Sequence, residues 1–341
     1  MWSWLGMRNE TVRAQYYREW RVNRASYVLA AALTVLLPCG GIITNSLAPA
    51  RYSHRFLVSL VVGFSQGVAG VMIASAVLWA GLLALAIFWN DRSRGGIESA
   101  LEGPMPRTAL VRVKLALGLT TLAASQGLVC LLFLITAVAV GRAGNIGSIG
   151  VEVLMTFTAS ACMFSLTVAF STAMGSVFFT ALASFIWLMM PRVAAMLTNL
   201  AYMYTRMTVP QSQALYSTLT HIRWLSPLDL YSPTSARLLY SAYFAAWAAV
   251  ALWAAFAWWK RAPYERLHAP FYFPRLWNLW YGLLALATGF VLSALIRPFG
   301  ASPPSTVWVV PLLAIPAWFL WRAIFVRMGR SGLGFGPTAD W

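Results

Sequence analysis

The recurrence of long runs without a charged residue limits what this chain can fold into more than any other feature. Two such runs, Leu57–Asn90 and Leu115–Gly141, exceed the roughly 20 residues that a helix needs to cross a hydrocarbon core of about 30 Å. A backbone inside lipid must satisfy its hydrogen bonds internally, which a helix does. Because 60% of the residues are hydrophobic and only 10% are charged, the sequence predicts an all-α integral membrane protein rather than a soluble one.

The apolar runs predict about eight transmembrane helices. The long run from Val153 to Pro191 is divided at the turn-like stretch Ser171–Ser176, which makes it the fourth and fifth spans. The other predicted spans are Tyr27–Ser46, Phe56–Asn90, Ala116–Val140, Leu238–Trp259, Trp280–Ile296 and Val307–Phe325. We expect three regions: an N-terminal interfacial helix at residues 1–25, a six-span core at 26–265, and a two-span extension with a tail at 266–341.

The first residues predict an amphipathic helix on the cytoplasmic membrane surface. Val12, Tyr16 and Trp20 are four residues apart, with arginines between them, as in helices that lie among lipid headgroups. A disordered basic tail is the other interpretation.

With this end inside, 17 of the 25 Lys and Arg residues are assigned to the cytoplasm and 7, including Arg237, to the outside. The positive-inside rule then favours both termini in the cytoplasm.

The segment Asp91–Lys114 is the most distinctive polar loop. Apolar and acidic residues recur within it at helical spacing, which predicts a short helix with one apolar and one acidic stripe. Pro104 and Pro106 end that helix, and three cations are expected at the mouth of the next span. A docking surface for another protein and an ordinary charged cytoplasmic loop both fit this pattern. The stripe residues are Ile97, Leu101 and Met105 with Glu98 and Glu102, and the cations are Arg107, Arg112 and Lys114.

The same segment carries a family resemblance. The run Glu98-x-x-x-Glu102-Gly103-Pro104-x-Pro106-Arg107, followed by Lys114, resembles the first cytoplasmic loop of type-2 ABC transporter permeases of the Gram-positive kind. Pro106 departs from the family, which has Ser or Val there. The resemblance extends over most of residues 1–265, with Lys260-Arg261 and Glu265 as a second point of similarity. It implies a coupling helix near residues 92–106, with ATPase-subunit contacts at Ile97, Glu98, Leu101, Glu102, Pro104 and Arg107.

The resemblance implies a transmembrane (permease) subunit in a bacterial cell membrane. Such a subunit couples ATP hydrolysis by separate ATPase subunits to movement of a substrate. Its partners would be two ATPase subunits, a second permease in a homo- or heterodimer, and membrane lipids, with no nucleic acid. The alternative is a scaffold or sensor subunit of an ABC-type complex that moves no substrate. A third interpretation is an integral membrane transferase, against which the lack of an acidic cluster counts.

The sequence predicts no catalytic or metal site. Neither Lys114 nor Lys260 completes G-x-x-x-x-G-K, so ATP and Mg²⁺ are expected on a partner subunit and no cofactor on this chain. The three histidines lie in different loops without metal spacing. All nine acidic residues are expected outside the apolar cores, which argues against a carrier coupled to protons or sodium.

A few polar residues within the spans are candidates for a translocation path. Gln66 and Gln126 lie in a repeated Ser-Gln-Gly tripeptide, and either could instead hold the bundle together through hydrogen bonds between helices. Arg192 follows Pro191 in the fifth span. It is expected to face a wet cavity near the outer leaflet, to bind carbonyl groups freed by Pro191, or to extend its side chain to the lipid phosphates.

Overall fold

The computed structural model describes residues 10–46, 55, 57–59, 61, 70–93, 107–188, 237–261, 282, 285, 288–289 and 312–323, and within this part every regular element is a helix. We number the helices in chain order. They are α1 (Glu10–Ser46), α2 (Gly70–Ser93), α3 (Arg107–Ala139), α4 (Ile146–Ala173), α5 (Val177–Leu188), α6 (Arg237–Arg261) and α7 (Leu312–Ala323).

The helices have the length and composition of a membrane protein. Four described stretches can cross a bilayer on both criteria: Arg13–Gly40, Thr108–Ala139, Ala143–Ala173 and Arg237–Arg261. Large apolar side chains such as Leu131, Leu239 and Trp253 are exposed on these helices, as expected of surfaces that lipid covers. The all-α prediction is therefore confirmed for the described residues, and the count of eight spans stays a prediction.

Helix α1 is longer than the predicted first span. It runs without interruption from Glu10 to Ser46, through the expected boundary between the interfacial helix and the first span. Its 37 residues correspond to about 55 Å at 1.5 Å per residue. Residues 10–25 thus continue the first span as one helix. Whether any of them lies in the membrane interface is still a prediction.

Helices α3, α4 and α5 lie in the regions of the predicted third, fourth and fifth spans. Helix α3 begins at Arg107, nine residues before the predicted span, and a short 3-10 turn at Ala143–Asn145 leads into α4. Helix α4 ends at Ala173 because Met174 adopts an extended conformation, with φ −123° and ψ 133°. The predicted break at Ser171–Ser176 is confirmed. Helix α6 agrees with the predicted sixth span to within two residues at each end.

Helix α4 packs closely against two neighbouring helices at glycine residues. A Cβ atom on Gly81 of α2 would meet the Met163 side chain at 3.0 Å, and one on Gly118 of α3 would lie 2.0 Å from Cζ of Phe164. Met163 and Phe164 are consecutive and both buried. Helix α4 therefore sits between α2 and α3, and the two glycines allow the close approach.

The C-terminal segments also contact each other. Trp321 of α7 donates a hydrogen bond from Nε1 to Oγ1 of Thr288 at 2.9 Å, and Ala285, Ala314 and Ala317 form a small buried cluster. These contacts join residues 285 and 288 to α7, and the two-span extension stays a prediction.

Replacing Gly118 with Ala should destabilise the bundle. The added methyl group overlaps the Phe164 ring, and such overpacking typically costs about 1–3 kcal/mol. Gly127→Ala on the same helix is the matched control, since a Cβ there meets nothing within 4 Å. Unfolding midpoints in mixed detergent micelles measure both variants. Equal midpoints for the two variants would show that the Gly118–Phe164 contact does not limit packing.

Candidate functional site: a buried charge network

The face of α1 that packs inward is polar near its N-terminal end. Gln15, Glu19, Asn23 and Tyr27 are four residues apart and are all buried, so they form one stripe on the helix. Trp20, from the predicted apolar stripe, lies on another side of the helix and is 44% exposed. The residues that α1 turns inward are therefore not those of the predicted apolar stripe, and they include a carboxylate.

Glu19 forms a buried ion pair with Lys114 of α3. The Lys114 Nζ atom lies 2.8 Å from Oε1 and 3.0 Å from Oε2 of Glu19, and the exposed fractions of the two side chains are 0% and 2%. Asn23 Nδ2 donates to Oε1 of the same carboxylate at 2.8 Å, and the Tyr27 hydroxyl donates at 3.3 Å. Three donor groups thus compensate the buried carboxylate, as a buried charge requires.

Helix α2 completes the surroundings of the ammonium group. Lys114 Nζ lies 3.5 Å from the carbonyl oxygen of Ile87 and 5.4 Å from the centroid of the Phe88 ring, a distance at which a cation is attracted to an aromatic face. Asn90 Nδ2 donates to Asn23 Oδ1 at 2.9 Å and to Ser26 Oγ at 3.4 Å. We call Glu19, Asn23, Tyr27, Asn90 and Lys114 the charge network; it joins α1, α2 and α3.

The charge network lies beside the predicted coupling segment. Helix α2 ends at Ser93, three residues after Asn90, and α3 begins at Arg107, seven residues before Lys114. The chain between these helix ends contains the predicted coupling residues except Arg107, which begins α3. Any force applied to that segment therefore enters the bundle next to the charge network.

A second buried ion pair joins α4 to α6. Arg237 Nη1 lies 3.1 Å from Oε2 of Glu152, and both side chains are fully buried. Gly118 of α3 contacts Phe164 of α4. Lys114 lies four residues from Gly118, and Glu152 lies twelve residues from Phe164. The two pairs are therefore about 24 Å apart along the helix axes. The two ion pairs thus lie near opposite ends of the bundle.

These pairs correct two predictions. Lys114 was expected at the mouth of a span, yet it is buried between three helices. Arg237, assigned to the outer side just before the sixth span, is the first residue of α6, and its burial against Glu152 was not predicted. The prediction that all acids lie outside the apolar cores is wrong for Glu19 and Glu152, because each is compensated by a cation from another helix.

The structure tests little of the predicted site directly. Gln126 is buried on α3, beside Ser125, whose hydroxyl donates to the Leu122 carbonyl oxygen at 3.0 Å. Arg107 begins α3. The other candidates, namely Gln66, Ile97, Glu98, Leu101, Glu102, Pro104 and Arg192, lie outside the described residues. No protein-family model, curated protein or solved structure matches the chain.

Breaking either side of the Glu19–Lys114 pair should be strongly destabilising. Glu19→Gln or Lys114→Met leaves one buried charge uncompensated, which typically costs about 3–5 kcal/mol. The double variant Glu19→Gln/Lys114→Met removes both charges, so its loss should fall short of the sum of the single losses by more than about 1 kcal/mol. Arg112→Met, at an exposed position on the same helix, is the control. Strictly additive unfolding free energies in mixed micelles would show that the pair is not coupled.

Proposed function

We propose that this chain is the transmembrane (permease) subunit of an ABC transporter and that residues 92–106 form its coupling helix. The proposal combines the resemblance at Glu98–Lys114 with the charge network. A separate ATPase subunit would bind ATP and Mg²⁺, and a second permease would complete the pair. The complex would lie in a bacterial cell membrane with both termini of this chain in the cytoplasm.

The observation that carries the proposal is the connection between the two ends of the coupling segment. Asn90 and the Ile87 carbonyl group lie on the helix before the segment, and Lys114 lies on the helix after it. Asn90 donates a hydrogen bond to Asn23 and Lys114 donates one to Glu19, and these two acceptors lie one turn apart on α1. Three helices therefore meet where the segment leaves the bundle, so a push on the segment would displace them together.

Helix lengths also support the proposal. Helix α3 has 33 residues, which is about 50 Å of helix, whereas hydrocarbon is about 30 Å thick. The excess must tilt or project from the bilayer. If it projects, the coupling segment is held away from the lipid surface, within reach of a soluble ATPase.

A close contact inside the bundle would pass movement of α3 on to α4. Gly118 lies one turn after Lys114 on α3 and is in close contact with Phe164 of α4. Movement of α3 at the charge network would therefore move α4, because close-packed interiors transmit displacement. Rocking of these helices on ATPase closure is the proposed means of substrate movement.

Charge reversal in the coupling segment tests the proposal. We expect Glu98→Lys/Glu102→Lys to reduce copurification of the ATPase subunit at least about tenfold, because like charges placed across an interface cost several kcal/mol. The tagged permease is purified from its native membranes, and vanadate-sensitive Mg-ATPase activity is measured per mole of permease. Arg142→Glu, a charge reversal at an exposed position in the α3–α4 turn, is the control.

Two results would contradict the proposal. One is absence of ATPase activity with the unaltered permease. The other is equal ATPase activity with the double variant and with Arg142→Glu. Membrane yield and unfolding midpoint must stay normal in the double variant, so that lost binding is separated from lost folding.

A further inference from the structure

The Glu152–Arg237 pair differs in character from the charge network. Glu19 accepts hydrogen bonds from Lys114, Asn23 and Tyr27. Neither carboxylate oxygen of Glu152, by contrast, has a hydrogen-bond partner of acceptable geometry within the described part of the chain. Its contact with Arg237 is a single approach of 3.1 Å. The Arg237 guanidinium thus balances the negative charge of Glu152, but no described group donates a well-aligned hydrogen bond to the carboxylate. This is costly for a fully buried carboxylate.

The described helices packed against α4 place few other charged residues near Glu152 and Arg237. The described α2 and α3 carry their charged residues only at the ends near the charge network. Arg142 precedes the 3-10 turn and is exposed. On α6, Tyr240 lies three residues after Arg237 and is buried, while Lys260 and Arg261 lie at the opposite end. Among described residues, Glu152 is therefore the acid that faces Arg237.

Charge balance restricts how this pair can change. Neutralising Glu152 alone would break the ion pair that it forms with the buried arginine, and breaking such a pair costs about 3–5 kcal/mol. Replacing the Glu152 carboxylate by that of a ligand keeps the charges balanced, provided that Glu152 takes up one proton. The planar guanidinium fork suits a carboxylate, since it can donate two parallel hydrogen bonds.

We propose that Glu152 and Arg237 form a binding site for a small carboxylate anion, which enters together with one proton. The proton goes to a carboxylate oxygen of Glu152, and the ligand's carboxylate takes its place beside Arg237. Glu152 lies six residues into α4, or about 9 Å from the start of that helix, and Arg237 is the first residue of α6. The site would thus be reached from the end of the bundle opposite the charge network.

The proposal fixes the sign of the pH dependence. The bound form holds one more proton than the free form, so binding strengthens as pH falls. The affinity should change by up to about tenfold per pH unit while Glu152 is ionised in the free protein and protonated in the complex. The site requires no ATPase subunit, so it can fail while the proposed transporter role stands, and the reverse also holds.

Acetate is the probe, and acetamide is its neutral control. The purified chain is reconstituted in lipid nanodiscs, and its unfolding midpoint is measured at about pH 6 and about pH 7.5 with ionic strength matched by chloride. Acetate should raise the midpoint more at the lower pH, and acetamide should not raise it. In Glu152→Gln the rise should be equal at both pH values. It should disappear in Arg237→Gln and persist in Arg142→Gln.

Calorimetry on the unaltered chain keeps the proposal testable if a variant does not fold. Acetate titrations in buffers of different ionisation enthalpy should give an uptake of about one proton per bound acetate. An uptake of zero would overturn the proposal, as would the absence of any acetate-dependent rise or a rise that survives in a folded Arg237→Gln.

Discussion

The ion pair between Glu19 and Lys114 is the interaction on which the rest of this structure depends. Two charges buried between helices must be compensated by each other and by further donors, because lipid and core offer no water to replace them. Asn23, Tyr27 and the Ile87 carbonyl group provide that compensation. The requirement fixes the rotation of α1, since its polar stripe must face α2 and α3.

The two ion pairs differ in how their charges are compensated. The charge network is saturated with hydrogen bonds and joins three helices, so it resists separation and suits transmission of force. The Glu152–Arg237 contact joins two helices through one approach and lacks a hydrogen bond to the carboxylate in the described part of the structure. In our account α4 connects them, because it packs on Gly118 near the first pair and carries Glu152 of the second.

Much of the helical architecture could be predicted from the sequence, whereas the buried charges could not. Apolar runs locate helices because hydrophobicity over about 20 residues is a local property, and the break at Met174 and the bounds of α6 followed from it. Pairing between Glu19 and Lys114 spans 95 positions of sequence and is not local. Treating every charge as the exposed end of a span therefore missed the burial of Lys114 and Arg237. One signal was present: Gln15, Glu19, Asn23 and Tyr27 recur at helical spacing and predict a polar face that needs partners.

Hydrogen exchange in the N-terminal part of α1 tests the central claim most directly. If the charge network holds this part of α1 on the bundle, Lys114→Met should accelerate amide exchange in residues 13–26 roughly tenfold or more, since local opening then costs less. Exchange within α6, which contributes no residue to the charge network, should accelerate less than exchange in residues 13–26 and serves as the internal reference. Unaltered exchange in residues 13–26 of a folded Lys114→Met protein would contradict the account, because the ion pair would then not be what fixes α1 against α2 and α3.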